Sequence, residues 1–314
     1  MDLLSIIVPC YNEEKSVGIF LDEIQKTLTD IEYEVIFIND GSKDNTLEKI
    51  RKLVDSNPNV KYISFSRNFG KESAIYAGLI NATGNLVCLM DVDLQHPPNL
   101  IPEMIEAISE GYDVAAARRI SKKGESLVSS IGGHLFYKLF NSISSMKLVE
   151  GATDYRVMTR QVTDAVLQLS EYNRFSKGIF QWVGFETKWI EYENIERAEG
   201  ETTWSPRQLF MYSIDAITAF TTLPLTISIY LGFVISLFAF IYLLIIIIKY
   251  LIYSDPVQGF ATTMCTILLL GGIQLISIGI LGKYLKNTYN ETKNRPIFII
   301  KETNIDDRWL DKTW

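Results

Sequence analysis

Leu86-Val87-Cys88-Leu89-Met90-Asp91-Val92-Asp93-Leu94-Gln95 is the stretch from which this chain is best read. Five consecutive apolar residues have the length and composition of a buried strand. Two carboxylates and an amide follow at once, so they emerge together at the strand's C-terminal edge. In open α/β sheets that edge is where ligands bind. Hard oxygen ligands two residues apart suit Mg²⁺ or Mn²⁺ shared with substrate phosphates. His96-Pro97-Pro98 then ends the strand and stiffens its exit. Carboxylates at strand ends also solvate ordinary turns, so the motif takes its meaning from the segments around it.

Those segments alternate. Strand patterns lie at 4–8, 34–38, 60–64, 86–90 and 113–117, with helical patterns between them at 17–29, 46–55, 72–81 and 100–110. Such alternation predicts an α/β fold with a mostly parallel sheet covered by helices. Polar loops at 9–14, 39–46, 67–72 and 91–98 follow the first four strands, so all four share one edge and form a crevice. Residues 121–205 are mixed, and 178–196 reads as containing a hairpin.

Beyond them, 206–222 reads as an amphipathic helix with Phe210, Ile214, Ile217 and Phe220 on one face, suited to a membrane interface. Residues 223–253 and 260–281 each exceed the ~20 apolar residues needed to cross a bilayer. Their link has no Lys or Arg, whereas Lys283, Lys286, Lys293 and Arg295 follow the second span. The positive-inside bias then places both termini and the first domain in the cytoplasm, as a multi-pass protein of the plasma membrane. Lys249 runs against this bias but snorkels to the interface. The expected organisation is a catalytic domain at 1–205, an interfacial helix at 206–222, a transmembrane hairpin at 223–253 and 260–281, and a cytoplasmic tail at 282–314. The first residues go straight into a strand with no basic segment, so no signal peptide is expected.

Composition narrows the function. The 314 residues carry a formal charge of −7, and no long basic run occurs, which argues against a nucleic-acid partner. Cys10, Cys88 and Cys265 are scattered, which predicts neither disulfides nor zinc and a reducing compartment. There is no G-x-G-x-x-G and no G-x-x-x-x-G-K-[ST], so dinucleotide dehydrogenases and P-loop NTPases are excluded at the level of motif.

The loops carry the chemistry. In Pro9-Cys10-Tyr11-Asn12-Glu13-Glu14, Asn12 is placed to cap the following helix, with two carboxylates at its positive end. In Asn39-Asp40-Gly41-Ser42-Lys43-Asp44-Asn45-Thr46, Asp40 is placed to accept from a base N–H or a ribose hydroxyl. Gly41 permits the turn, and Asp44 or Asn45 caps the next helix. Arg67-Asn68-Phe69-Gly70-Lys71-Glu72 puts two cations at the same edge, where they suit phosphates.

Taken in order, P-x-Y-N-E, N-D-G-S-x-D-x-T, R-N-F-G-K-E and D-x-D-x-Q resemble the family 2 glycosyltransferases. The likeness is strongest to their polyprenyl-phosphate hexosyltransferase branch, which includes dolichol-phosphate mannose synthase and bactoprenol glucosyltransferase. It spans the whole chain. The resemblance implies a GT-A type nucleotide-binding domain, an interfacial helix and a two-span hairpin. It implies that Pro9, Tyr11, Glu13 and Asp40 hold the nucleoside. Asp91, Asp93 and Gln95 would hold Mg²⁺ or Mn²⁺ and the donor diphosphate, with Lys71 beside them. Arg119, or Arg118, would meet the acceptor phosphate. Asp154-Tyr155-Arg156 matches the family's D-F-R segment, whose aspartate is the proposed base, which makes Asp154, Arg156 and Asp93 the catalytic candidates. Arg197-Ala198-Glu199-Gly200-Glu201-Thr202-Thr203-Trp204 matches its R-x-x-G-x-S-K-Y/W loop, with Arg197 on the diphosphate. Thr203 stands where that loop usually has lysine, and Arg207 lies just beyond.

The implied reaction is an in-line, inverting, metal-dependent transfer of a hexose to a lipid monophosphate such as undecaprenyl phosphate, with UDP-glucose or UDP-N-acetylglucosamine as donor. The partners are then the nucleotide sugar, the polyprenyl phosphate and the bilayer, with a homo-oligomer as the implied assembly. A phosphate monoester has a second pKa of about 6, so the acceptor hardly needs a base, and Asp154 has the alternative task of orienting Arg156 or Arg119. A processive polysaccharide synthase would carry Q-x-x-R-W, which Gln181-Trp182 does not match. A silent nucleotide-binding scaffold is the non-enzymatic alternative; Asp91, Asp93 and Gln95 argue against it and Thr203 argues for it.

Overall fold

The computed structural model describes residues 3–120, 137–138, 140–142, 144, 147–193, 214, 217–253 and 259–305. The Arg197–Trp204 loop, Arg207, Phe210 and most of 206–222, and the link at 254–258 lie outside the described residues. So does the tail beyond 305. The chain divides into a unit of 1–213 with 295–314 and a second unit of 214–294.

In the first unit, β1 (Leu4–Cys10), β2 (Tyr33–Asn39), β3 (Val60–Phe65) and β4 (Leu86–Leu89) alternate with α1 (Ser16–Thr27), α2 (Thr46–Ser56) and α3 (Lys71–Asn81). These four strands are parallel, in the order β4-β1-β2-β3. Each is apolar on both faces because helices cover both. Leu4, Ile6 and Val8 of β1 pack with Phe20, Leu21 and Ile24 of α1. The opposite parity faces α3, where a Cβ on Gly78 would stand 2.2 Å from Ile7 Cγ2. That glycine lets helix and sheet approach closely. The chain continues through α4 (Ile101–Ser109) and β5 (Val114–Arg119).

The next segments depart from simple alternation. β6 (Ala152–Thr159) enters antiparallel between β4 and β5, and β5 pairs with β6 and β7 (Thr187–Tyr192) but not with β4. Between β6 and β7 lie α5 (Arg160–Leu167) and α6 (Ser176–Trp182). The hairpin read at 178–196 is therefore corrected: the first part is helix, and the strand pairs in parallel with β5, 73 residues away in register Val114↔Thr187. Alternation of side chains marked the strand, but a strand's partner is not encoded in its own pattern.

The tail also returns to the sheet. β8 (Ile300–Thr303) pairs antiparallel with β3 and completes the order β7-β5-β6-β4-β1-β2-β3-β8. It covers an otherwise open edge. Glu302 pairs with Arg51 through two hydrogen bonds, and Asn304 accepts from Tyr62 N at 2.7 Å. Phe298 stacks on Phe65 with ring centroids 5.0 Å apart. Phe298→Ala is expected to cost about 3 kcal/mol, read as a lower denaturation midpoint of the full-length protein. An unchanged midpoint would mean the strand contributes nothing to stability.

The second unit holds α7 (Leu223–Tyr253) and α8 (Phe260–Thr292), both long and apolar enough to cross a membrane. Side chains such as Ile229, Phe238 and Leu275 are about 70% exposed, so the apolar surface goes round each helix and is not satisfied within the unit. The second helix runs to Thr292, past the expected 281. Tyr284 OH donates to Thr221 O at 2.6 Å, which ties the far end of α8 to the start of α7. Ile217–Phe220 are helical.

Candidate active site

The site is built at the C-terminal edge of β1, β2 and β4. Asp40, at the end of β2, is buried, and both its oxygens are engaged: Phe69 N donates to Oδ1 at 2.6 Å and Gly70 N to Oδ2 at 2.9 Å. It braces the loop that leads into α3. Any nucleoside contact must use its remaining lone pairs. Burial raises its pKa, against the pull of those two N–H groups and Arg67. Gly41 has φ +64, and a Cβ there would stand 2.3 Å from the Arg67 carbonyl carbon, so the two loops close only over glycine.

The first loop is tied to the second as well as to its own helix. Asn12, at φ 57, accepts from Lys43 N at 2.9 Å, and its own N–H reaches Ser42 Oγ. The expected cap of α1 by Asn12 is corrected accordingly: the helix begins after Lys15 with no side-chain cap. Glu13 N donates to Thr46 Oγ1, and Glu13 Oε2 accepts from Ser16 Oγ. Asp44 Oδ1 accepts from Thr46 N at the start of α2, a task Asn45 does not share. Tyr11 is exposed on this loop and Pro9 lies in β1 just before it.

Past β4, Asp91, Asp93 and Gln95 hang on a sharp turn. Leu94 has φ 56, a left-handed conformation costing roughly 1–2 kcal/mol for a residue with a Cβ. Gln95 N donates to Asp93 Oδ1 at 3.2 Å. His96 is buried; its Nδ1 lies 2.7 Å from Tyr192 OH and its Nε2 3.7 Å from Asp91. The ring stacks on Tyr155. Sequence reasoning treated His96 only as the end of a strand and missed Tyr192 altogether.

The antiparallel entry of β6 brings Asp154 to the same place, because the start of β6 lies beside the end of β4. Lys71, the first residue of α3, joins them: Nζ is 2.7 Å from Asp91 Oδ1 and 2.8 Å from Asp154 Oδ2. Burial pushes the Asp91 pKa up, but Lys71 and His96 outweigh it and hold the carboxyl well below the ordinary range. Asp154 is likewise lowered, burial being outweighed by Lys71 and Lys177. Burial works against the Lys71 charge too, and the two carboxylates more than offset it, so its pKa is raised. With 42% of the Lys71 side chain exposed, solvent screens part of this effect.

The arginines separate. Arg156 is 2% exposed, donates to the carbonyls of Asp154 and Thr153, and lies over the Phe180 ring. These contacts hold the start of β6 in place. Arg118 turns to the Glu150 carbonyl and Glu191. Arg119, the next residue, lies near enough to Tyr192 to counter the burial that raises the pKa of that phenol, whose ring is also close to Asp91 and Asp93. Thus Lys71 joins Asp91 and Asp154, Asp93 and Arg119 act electrostatically on the nearby Tyr192, Arg156 and Arg118 donate to backbone carbonyls, and Arg197 lies outside the described residues.

The donor set suits a divalent metal shared with substrate. Among the described residues no group of three or more His, Cys, Asp or Glu side chains could hold an ion. Two carboxylates completed by phosphate oxygens match Mg²⁺-type binding instead.

A family model described as "Glycosyl transferase family 2" matches residues 5–167, which covers every strand and loop of this edge from β1 through β6. The chain belongs to glycosyl transferase family 2. Its sheet is the GT-A type, and it is an enzyme of the glycosyltransferase class. A "Putative glycosyltransferase CsbB" of Bacillus subtilis is 44% identical over 99% of this chain and 95% of its own length. A "Prophage bactoprenol glucosyl transferase homolog" of Escherichia coli is 42% identical over 95% of this chain and 98% of its own. Among solved structures, a glucosyl-3-phosphoglycerate synthase from Mycobacterium tuberculosis, crystallised with Mn²⁺ and UDP-glucose, matches 69% of this chain and 77% of its own at 16% identity and a TM-score of 0.45.

Proposed function

We propose that this glycosyltransferase moves a hexose, glucose or N-acetylglucosamine, from its UDP donor to a polyprenyl phosphate such as undecaprenyl phosphate. The observation that carries this reading is the length of the match to proteins named bactoprenol glucosyl transferase: it runs over 95% of the chain, so it includes the two apolar helices as well as the crevice. A lipid acceptor gives those helices a purpose.

In this reading Pro9, Tyr11, Glu13 and Asp40 line the nucleoside end. Asp91, Asp93 and Gln95 would hold Mg²⁺ or Mn²⁺ together with the diphosphate, and such an ion would supply positive charge to the leaving group. Lys71 and Arg197 contact the diphosphate directly, and Arg119 receives the acceptor phosphate. Catalysis is then positioning and charge stabilisation, with inversion at the anomeric carbon from one in-line displacement.

Asp154 is best read as a positioning residue. A carboxylate held below its ordinary range by Lys71 is a weak base, and an acceptor phosphate with a second pKa of about 6 does not need one. Asp154→Asn is expected to lower kcat by roughly 10–100-fold, the scale of losing one ordering contact, with the shape of the pH–rate profile kept. Loss of the acidic limb of that profile would reinstate Asp154 as a base.

Strand β8 supports a hairpin topology. Both β7 and Ile300–Thr303 belong to the same sheet, which fits two membrane crossings between them. With the basic residues after α8, this supports both ends in the cytoplasm. A homo-oligomer is part of the same proposal.

The deciding experiment incubates purified protein with undecaprenyl phosphate, Mn²⁺ and, in turn, UDP-glucose, UDP-N-acetylglucosamine and GDP-mannose. Lipid-linked sugar is followed by mass spectrometry. One product, abolished by EDTA, is expected from a UDP-sugar. Transfer only from GDP-mannose, or only to a water-soluble acceptor, would overturn the reading.

A further inference from the structure

Lys71 sits astride Asp91. Its Nζ is 2.7 Å from one carboxylate oxygen and 3.0 Å from the other, which is the position a cation takes on a carboxylate. The third contact is Asp154 Oδ2 at 2.8 Å. A divalent ion bound through Asp91 and the ammonium group therefore compete for the same two oxygens, and two cations cannot share them at close range without strong repulsion.

The surroundings permit the ammonium to move while its backbone stays. Glu72, the next residue, accepts from Ser176 N at 3.0 Å and from the Ser176 hydroxyl, which fastens the start of α3 to α6. Gly70, at φ +97, is held by Asp40 on the other side. Between these two anchors the Lys71 side chain keeps 42% of its surface open, and a lysine is a point charge on a flexible four-carbon stem.

We propose that Lys71 is an exchangeable counter-ion. It holds Asp91 and Asp154 together, yields Asp91 to the divalent ion, and passes to the donor diphosphate that arrives with it. This rests on the metal-and-donor reading above and adds a coupling to it. The metal binds weakly until a diphosphate is present to take over the lysine's charge, so metal and donor load together. By linkage the coupling is reciprocal. It also gives the leaving diphosphate a cation in a chain whose position 203 is threonine.

The test measures Mn²⁺ binding by electron paramagnetic resonance on the full-length protein in detergent, with and without UDP. Lys71→Met removes the charge, Lys71→Gln keeps hydrogen-bonding capacity without it, and Lys71→Arg keeps the charge. Without UDP, the Met and Gln variants are expected to bind Mn²⁺ at least tenfold tighter than wild type, while Arg stays near it. The factor by which UDP tightens Mn²⁺ binding should be largest in wild type and shrink in the two neutral variants. If either neutral variant, with a wild-type circular dichroism spectrum, binds Mn²⁺ no tighter than wild type, the exchange is wrong and the metal reading stands. Absence of Mn²⁺ binding to every form, with or without UDP, overturns both.

Discussion

Asp91→Asn is expected to reduce kcat/KM for sugar transfer by at least ~10³-fold, or about 4 kcal/mol of transition-state stabilisation. The substitution keeps the size of the side chain and removes one negative charge at the point where Lys71, His96 and the turn after β4 meet. A neutral amide is a far poorer ligand for a hard divalent ion than a carboxylate, so the donor diphosphate loses its main counter-charge. Stability should change little. The mutation gives up an ion pair with Lys71, but Asp154 still holds that lysine, and a crowding of carboxylates is relieved. Initial rates over a Mn²⁺ titration, together with a melting curve, measure both. Turnover within tenfold of wild type would remove Asp91 from the reaction, and a collapse in melting temperature would make it a structural residue.

A large stability effect is also expected far from the crevice, at Glu34→Ala. Glu34 is buried at the opposite edge of the sheet from the polar loops. It accepts from Ser5 Oγ at 2.5 Å, Lys61 Nζ at 2.5 Å, Thr83 N at 2.8 Å and Thr83 Oγ1 at 2.7 Å. Ser5 Oγ in turn accepts from Gly84 N. One carboxylate thus joins β1, β2, β3 and the turn before β4. Removing it strands several donors, of which Ser5 is fully buried while Lys61 and Thr83 are open to water. The expected loss is about 3 kcal/mol, or roughly 6–12 °C in melting temperature for a unit of this size. The pH dependence has a definite sign. Burial raises the Glu34 pKa, but Lys61, Ser5 and Thr83 outweigh it and leave it below the ordinary 4.5. A depressed carboxyl contributes stability above its unfolded pKa and loses it as pH falls through the folded one. The gap between wild type and Glu34→Ala should be constant from pH 5 to 8 and narrow below about pH 4.5. A gap that widens in acid would contradict this assignment.

Much of the molecule was legible along the chain. The apolar runs of β1 through β5, their intervening amphipathic helices and the polar loops that follow the strands are local patterns, set by which side chains avoid water over five to ten residues. The same holds for the two long helices and for Asp91, Asp93 and Gln95, which sit at a strand end because the run before them is apolar. The loop motifs were sufficient to place the chain in its family.

Pairing was not legible, because the partner of a strand is chosen by distant surfaces. Nothing in Ala152–Thr159 says that it enters between β4 and β5, antiparallel, and so delivers Asp154 to Lys71, 83 residues away. Nothing in Ile300–Thr303 says that it returns to β3. The resemblance implied a catalytic Arg156 and offered Arg118 for the acceptor phosphate; the fold adds that both donate to backbone carbonyls. Nothing near Asp40 in sequence says that its carboxylate also braces the loop before α3. Sequence alone determined the strands and helices of the first 120 residues, the two membrane-type helices and which loops are polar, since these follow from local burial. The tertiary structure decided which charges meet, since an ion pair or a buried hydrogen bond forms only where the whole sheet has already brought its partners within about 3 Å.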